Sequence, residues 1–185
     1  QIAVDLEIIQ TEGANACRVV DPNFVIKKKD GKDVEVQDGW KGRIMPFELV
    51  QSTYLRAQLK ELQRKETHLA DISTSIAEVL ENLSDEEKES ESVNESGDKF
   101  VNAVVTKEAK QFKAEMKKSG PFQTDSYEAK IIQVADWLAK EKSLKDEIKK
   151  EAAALHLLTK ETIENLSNKQ ANKMLERTWI MPTDE

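Results

Sequence analysis

The sequence predicts a mainly α-helical protein: a long antiparallel helical hairpin, or coiled-coil-like bundle, with shorter helices and a small N-terminal β-hairpin. Apolar residues recur at alternating spacings of four and three along residues 46–83 and again along residues 126–158, which indicates two long helices. Charged residues make up 34% of the chain and aromatic residues only 5%, which suits narrow apolar seams better than a large globular core. Two β-branched runs around Asp30-Gly31 predict the hairpin.

Residues 1–45 are expected to form the small β-hairpin segment and residues 46–185 the helical bundle or arm. A period of two predicts a first strand, with apolar side chains at Ile2, Val4, Leu6 and Ile8. Residues 18–36 predict the hairpin, because Gly31 takes a positive φ at little steric cost. Residues 38–42 predict a loop, and Pro46 marks the start of the first long helix.

The helix predicted at residues 46–83 carries one apolar seam, formed by Leu55, Leu59, Leu62, Leu69, Ile76, Leu80 and Leu83. Glu66 and Ser73 stand at two positions of this seam where a deep core would have leucine or isoleucine. A helix of this length is longer than a small domain needs. We therefore expect an arm that meets a partner.

An acidic segment at residues 84–98 follows. It carries a net charge of −6, which leaves only −1 of the total of −7 for the rest of the chain, so the overall charge says little about nucleic acid. Ser84 and Glu87 have the spacing of a capping box. Residues 88–98 offer little to bury and predict a mobile loop.

Three further helices are expected. Residues 99–118 predict a helix with Val105, Ala109, Phe112 and Met116 on one face, and residues 126–158 predict the second long helix, antiparallel to the first. Residues 159–165 are expected to continue as a short helical turn. Ser167 and Gln170 predict a capping box that opens a helix to residue 178, after which the run at residues 179–182 is expected to pack near Trp40.

Five lysines lie on the helix at residues 99–118 and are the candidate DNA-phosphate contacts: Lys107, Lys110, Lys113, Lys117 and Lys118. With Glu108 and Glu115 they give a net charge of +3 over twelve residues, enough for phosphate contacts but without a motif that reads bases. The alternative is the solvated face of an amphipathic helix.

No residue is assigned a catalytic, cofactor or metal role. The run Asp21-Pro22-Asn23-Phe24 is close to the Asp/Asn-Pro-Pro-aromatic motif of amino-group methyltransferases, but Asn23 replaces the second proline and no glycine-rich turn follows a strand. A proline-containing turn before a strand is favoured. His68 and His156 lack convergent ligands and are expected to be ordinary helix-surface or seam-edge residues, and Cys17 is interpreted as a packed cysteine.

One cysteine excludes an internal disulfide and fits a reducing cytoplasm, and no membrane span or signal peptide is visible. The chain lacks an initiating methionine, so we expect it to be part of a longer polypeptide. Residual apolar surface off the main stripes, together with seam positions, predicts a partner interface at Tyr54, Leu59, Glu66, Ile72, Ser73, Val79, Trp137, Leu144 and Ile148. An intrachain bundle could cover the same residues.

Three stretches carry a resemblance: GRIMPFELVQSTYL at residues 42–55, DSYEAKIIQVADWLAKEKSLKDEIK at residues 125–149, and EAAALHLLTKETIENLSNKQANKMLERTWI at residues 151–180. They resemble the C-terminal region of modification (M) subunits of type I restriction-modification systems. The resemblance rests on similar sequence in these three stretches, which together hold 69 of the 185 residues, and it includes no catalytic motif.

The resemblance implies a parent that is an adenine-N6 DNA methyltransferase using S-adenosylmethionine, in the cytoplasm of a bacterium or archaeon. This chain would be its non-catalytic helical tail, with no cofactor of its own, which docks on the specificity (S) subunit through protein–protein contacts. A second M subunit and restriction subunits would complete the complex, and DNA binding and DNA methylation would occur through the assembly. The alternative is a self-associating coiled-coil scaffold protein with no role in DNA methylation.

Overall fold

A computed structural model describes residues 11–180 of the chain, with side chains through residue 178. The elements, in order, are α1 at residues 11–17, β1 (Val20–Lys29), β2 (Lys32–Gly42), α2 (Phe47–Tyr54), α3 (Arg56–Glu81), α4 (Asp85–Lys88), α5 (Asn102–Ser119), α6 (Tyr127–Glu164), α7 (Asn168–Leu175) and a π-helical turn (Glu176–Ile180). The predicted fold class, mainly α with one small antiparallel β-hairpin, is confirmed.

Helix α1 was not predicted. The strand predicted at residues 2–8 lies outside the described residues. The predicted packing of residues 179–182 near Trp40 concerns side chains beyond those described. Within residues 11–180, no helix is both long enough and apolar enough to cross a membrane.

The chain divides into two compact units. Residues 1–62 and 150–185 form the terminal unit, and residues 63–149 form the central unit. The terminal unit thus groups the hairpin with helical residues from both ends of the chain, whereas the sequence set residues 1–45 apart. The division falls within α3 and α6.

In the terminal unit, β1 and β2 form an antiparallel ribbon that turns at Asp30 and Gly31. Both turn residues have positive φ, 53° and 77°, a turn whose twist matches that of the strands. The loop expected at residues 38–42 is wrong, because β2 continues to Gly42. One extra residue in β2 forms a bulge opposite Asn23, and Gly39 supplies the positive φ of 69° there.

The core of the terminal unit combines residues from α1, α2, α6 and α7, and its buried members are Ala14, Cys17, Met45, Val50, Ile163, Leu166, Ala171 and Met174. Arg18 supports it by donating hydrogen bonds to the carbonyl oxygen of Leu166 and to the side chain of Asn168. The predicted capping box is confirmed: Gln170 N–H donates to Ser167 Oγ (3.1 Å), and Ser167 N–H donates to Gln170 Oε1 (3.0 Å).

The helix predicted as one element at residues 46–83 is broken at Leu55, where φ is −123° and ψ is 35°. No proline or glycine lies at this point. Instead, the hydroxyls of Ser52 and Thr53 both donate to the carbonyl oxygen of Leu49, at 3.0 and 2.7 Å. Such side-chain bonds back along the helix compete with the backbone ladder and favour bending, and these two lie in the turn that precedes the break between α2 and α3.

In the central unit, α3 and α6 pair in opposite directions, as predicted. Lys65 Nζ lies 3.1 Å from Glu147 Oε2, and Ser73 Oγ donates to Glu141 Oε2 at 2.9 Å. Residues further along α3 therefore meet residues earlier along α6. Helix α6 runs to Glu164, so the helical continuation expected after residue 158 is confirmed.

The predicted leucine and isoleucine positions of the α3 seam are buried or half-buried, and the seam differs from the prediction by one residue at its two polar positions. Ile72 is 5% exposed, while Glu66 and Ser73 are exposed to solvent. Lys65 takes the other expected polar position: its side chain is 16% exposed, and its ammonium group pairs with Glu147. The methylene groups of a lysine can cover apolar surface while its charge stays at the edge of the seam. A search for apolar periodicity counts lysine as polar, so it did not identify Lys65 as a seam residue.

The segment after α3 is packed within the central unit. The predicted capping box of Ser84 and Glu87 opens the short helix α4. Beyond it, Val93 and Phe100 form a β-bridge and are buried, and Ser92 is completely buried. The expectation that residues 88–98 have almost nothing to bury is therefore wrong. Helix α5 presents the predicted face, with Val105 and Ala109 buried.

A hydrogen-bonded network ties this segment to α5 and α6. Tyr127 donates its hydroxyl proton to Glu108 Oε2 at 2.6 Å, and Ser92 Oγ lies 2.8 Å from the Tyr127 oxygen and 2.8 Å from Ser90 Oγ. Burial raises the pKa of the Tyr127 hydroxyl, and the hydrogen bond to Glu108 raises it further. The protonated phenol is therefore the form that the folded state favours.

We expect Tyr127→Phe to lower the free energy of unfolding by about 1–2 kcal/mol at neutral pH, because Glu108 and Ser92 lose a buried partner. Because the pKa of Tyr127 is raised in the folded state, its contribution to the free energy of unfolding is fully present below the ordinary tyrosine pKa of 10.0. That contribution is lost as the pH rises through the pKa of Tyr127 in the folded state. The gap between wild type and Tyr127→Phe should therefore shrink at alkaline pH. Urea unfolding followed by circular dichroism measures both effects.

Tyr54→Phe, the same change at the other tyrosine, is the matched control and should not reproduce this pH-dependent gap. A Tyr127→Phe variant as stable as wild type at neutral pH would contradict the role given to the network.

Candidate interaction surfaces

The residues predicted to meet a partner are distributed over both units, and several are covered by the chain itself. In the central unit Ile72 is buried, and Val79 and Trp137 pack against the core cluster. In the terminal unit Tyr54 packs against the core there. The chain itself therefore covers Ile72 almost completely and the other three side chains in part.

Two residues of the predicted set remain as partly open apolar side chains of the central unit. Leu144 and Ile148 are half-buried, and neither belongs to the core clusters found among the described residues. They lie three and seven positions after Glu141, so they share the face of α6 on which Glu141 accepts from Ser73. With the half-buried Trp137, they form the stripe Trp137–Leu144–Ile148, named here the α6 stripe.

The other predicted interface residues have different surroundings. Glu66 is fully on the solvent side of α3, and Ser73 is exposed but bound to Glu141. Leu59, in the part of α3 that belongs to the terminal unit, is half-buried. The structure thus brings part of the predicted set onto the α6 stripe and leaves the rest apart from it.

The hairpin carries apolar surface that the sequence did not mark as a contact site. Phe24 is 53% exposed and Ile26 is 73% exposed, and they stand on the same face of β1. Val34 on the opposite face is also exposed. The available signal was the alternation itself: a ribbon of two strands has no second layer to cover its apolar residues.

His156 is a structural residue of the terminal unit, whereas a plain helix-surface or seam-edge position was expected. Its Nε2 atom accepts a hydrogen bond of 2.8 Å from the backbone N–H of Trp40, and its ring lies 4.9 Å from that of Phe47. Accepting at Nε2 leaves the proton of a neutral imidazole on Nδ1. Lys160 adds a cation–π contact, with Nζ 4.5 Å from the centre of the Trp40 ring.

Gly39 is required by this contact. A Cβ atom at residue 39 would lie 2.4 Å from His156 Nε2, and φ is already 69°. Gly31 has a similar φ of 77° but nothing within 4 Å of the place where a Cβ would stand. An alanine at residue 31 would therefore carry only the cost of the positive φ, whereas an alanine at residue 39 would carry that cost and the cost of the collision with His156.

The run Asp21-Pro22-Asn23-Phe24 lies inside β1, not in a turn before a strand. Asp21 forms a two-pronged ion pair with Arg43, at 2.8 and 3.1 Å, and Asn23 Nδ2 donates to the carbonyl oxygen of Asp38 at 3.2 Å. These contacts hold the bulged end of the ribbon. Two of the four side chains that resembled a methyltransferase motif, Asp21 and Asn23, are thus used in structural contacts.

The remaining candidate groups are a thiol and a histidine. Cys17 is packed as predicted, and burial raises the pKa of its thiol against a smaller opposing effect of Arg18, so it is a poor nucleophile. His68 is exposed on α3. Among residues 11–180, no three His, Cys, Asp or Glu side chains converge as a metal site would require.

The five candidate phosphate-binding lysines are all exposed on α5. Four of them line an open groove between α5 and α6 in the central unit, to which α6 adds Lys142; Lys107 does not line it. We call this site, of about 1120 Å³, the alanine groove. Its floor is formed by small or apolar side chains of both helices: Ala103, Ala109, Ala114, Ala135, Leu138 and Ala139.

The sequence found the α5 lysines from their spacing on one helix. It did not find Lys142 or the floor, because these residues join the site only when α6 packs beside α5. One acid also enters the groove: Asp136, whose Oδ1 lies 3.0 Å from Lys113 Nζ.

Comparison of the chain with protein-family models, with curated proteins and with solved structures gave no match.

We expect Gly39→Ala to destabilise the protein more than Gly31→Ala. A positive φ alone costs an alanine about 1–2 kcal/mol, and at residue 39 the collision with the His156 ring adds to this cost. The measurement is the free energy of unfolding of each variant.

Adding His156→Ala to each glycine variant provides the control. The additional cost of His156→Ala should be smaller beside Gly39→Ala than beside Gly31→Ala, since the collision is already relieved. Equal costs for the two glycine variants would contradict the close approach.

Proposed function

We propose that this chain is a non-catalytic assembly module of a type I restriction-modification M subunit and docks on the S subunit. The resemblance of residues 42–55, 125–149 and 151–180 supports this proposal. The structural observation that favours it is the α6 stripe, since Leu144 and Ile148 stay half-open although α3 already lies against the same face of α6. A helix of another subunit that packed on this stripe would bury them.

The proposal assigns docking to this chain and catalysis to another region of the parent polypeptide, and the chemistry of the candidate residues supports this assignment. Two side chains with nucleophilic or metal-binding chemistry, Cys17 and His156, are occupied in packing and hydrogen bonding. In this proposal the transfer of a methyl group from S-adenosylmethionine to adenine belongs to another region of the parent polypeptide. The module would contribute by holding that region to the S subunit, which selects the DNA target, in a bacterial or archaeal cytoplasm with a second M subunit and restriction subunits.

Ile148 is the residue at which docking is best tested. Ile148→Asp places a charge on the α6 stripe and should weaken association with the S subunit by roughly tenfold or more, because an unpaired carboxylate would be buried on binding. Isothermal titration with the purified S subunit measures the affinity. Ile148→Ala, which removes surface without adding charge, should weaken it less.

Ser143→Asp is the matched control, since it adds the same charge at an exposed position of the same helix. Circular dichroism establishes that each variant is folded. Normal binding of the S subunit by both Ile148 variants would overturn docking at this stripe.

Light scattering on the isolated chain separates the proposal from a self-associating scaffold. A stable dimer that Ile148→Asp dissociates, with no affinity for the S subunit, would favour the scaffold. Methyl transfer by this chain alone would overturn the non-catalytic assignment.

A further inference from the structure

We propose that the alanine groove binds an acidic amphipathic helix supplied by a protein partner. This second surface lies on the α5 side of the central unit, and the proposal does not depend on docking through the α6 stripe. It rests on three properties of the groove: the composition of its floor, its excess of positive charge, and the spacing of its lysines.

The floor is built for close approach of a backbone. Ala114 and Ala139 are exposed on facing helices, and Ala135 and Leu138 are half-open beside them. Side chains that end at Cβ allow another helix to come to the short end of the usual interaxial range of about 8–10 Å. The apolar floor would be buried by such a helix and left bare by a ligand that contacts only the lysines.

The rim selects for negative charge. Five lysines border the groove, and Asp136 is the one acid among its lining residues in the described part of the chain. Asp136 is already paired with Lys113. A partner with carboxylates beside its apolar stripe would therefore complement the site, and a basic partner would be repelled.

The lysines on α5 are also spaced for a helix. Lys110, Lys113 and Lys117 recur at intervals of three and four, so they lie in one row of about 10 Å along α5. Glutamates at the same intervals on a partner helix would form a second row of the same length. Charge complementarity along two parallel rows would then set the register of the partner, while the alanine floor receives its apolar stripe.

The phosphates of DNA are the other class of ligand that these lysines could attract. Phosphate contacts require positive charge but not an apolar floor. Since the groove combines both properties, the helix is the occupant that the observations favour. The two ligands respond differently to a change in the floor, which gives the test its design.

The probe is a synthetic peptide of about 20 residues, long enough to be helical, with alanine and leucine on one face and glutamates beside them. Fluorescence anisotropy measures its binding to the 185-residue chain. We expect the double charge reversal Lys110→Glu/Lys117→Glu to weaken binding by roughly tenfold or more. Lys107→Glu, on the same helix but outside the groove, should change it less than about twofold.

Filling the floor is the second measurement. Ala114→Gln/Ala139→Gln introduces two neutral side chains with good helix propensity, so α5 and α6 are expected to remain folded. This variant keeps every lysine and should lower the affinity for the peptide by roughly tenfold, because the new side chains occupy the apolar floor on which the peptide's apolar face would pack. Circular dichroism confirms that the variant is folded.

A peptide of the same composition in scrambled order and a labelled DNA duplex complete the set. Weak binding of the scrambled peptide supports the proposal, and equal binding of both peptides overturns it. A second result would also overturn the proposal and assign the groove to nucleic acid. In that result the duplex binds through Lys110 and Lys117, binds equally well to the Ala114→Gln/Ala139→Gln variant, and the ordered peptide does not bind measurably.

Discussion

A narrow seam between two helices stays closed only if the polar side chains along it find partners, and the central unit depends on this constraint. Lys65 occupies a seam position of α3 with its methylene stem covered, and its ammonium group reaches Glu147 on α6. Ser73 is held at the edge by Glu141. These two contacts mark the direction and register of the pair, in which Ile72 is buried.

Once α3 and α6 are fixed in the central unit, the other elements have surfaces on which to pack. The segment that follows α3 places Ser92 against Tyr127, and Tyr127 connects it to Glu108 on α5. Helix α5 is thereby held beside α6, and their juxtaposition creates the alanine groove. A surface assembled in this way depends on the polar network behind it as much as on the residues that line it.

The sequence predicted the features that depend on neighbours in the chain. The turn at Asp30-Gly31, the two capping boxes and the buried face of α5 need only local spacing, and each was found. It did not predict features that depend on distant residues. The contact of His156 with Trp40 joins positions 116 residues apart, and the seam position of Lys65 is intelligible only beside Glu147.

The candidate sites divide in the same way. The α5 lysines were predicted from one helix, whereas Lys142 and the floor required knowledge of the neighbouring helix. Part of the predicted partner interface is used within the chain, because periodicity finds apolar stripes but does not say which partner covers them. The break at Leu55 was not predicted, and no apolar pattern records the hydroxyl groups of Ser52 and Thr53 that bond to the backbone beside it.

The single thiol of the chain gives access to the motions of one unit alone. Cys17 is completely buried in the core of the terminal unit, and the sequence contains no other cysteine. A thiol reagent can therefore react only when that core opens, so its rate of labelling under native conditions reports local unfolding there. Comparing this rate with the global unfolding rate would show whether the terminal unit opens by itself or only together with the rest of the molecule.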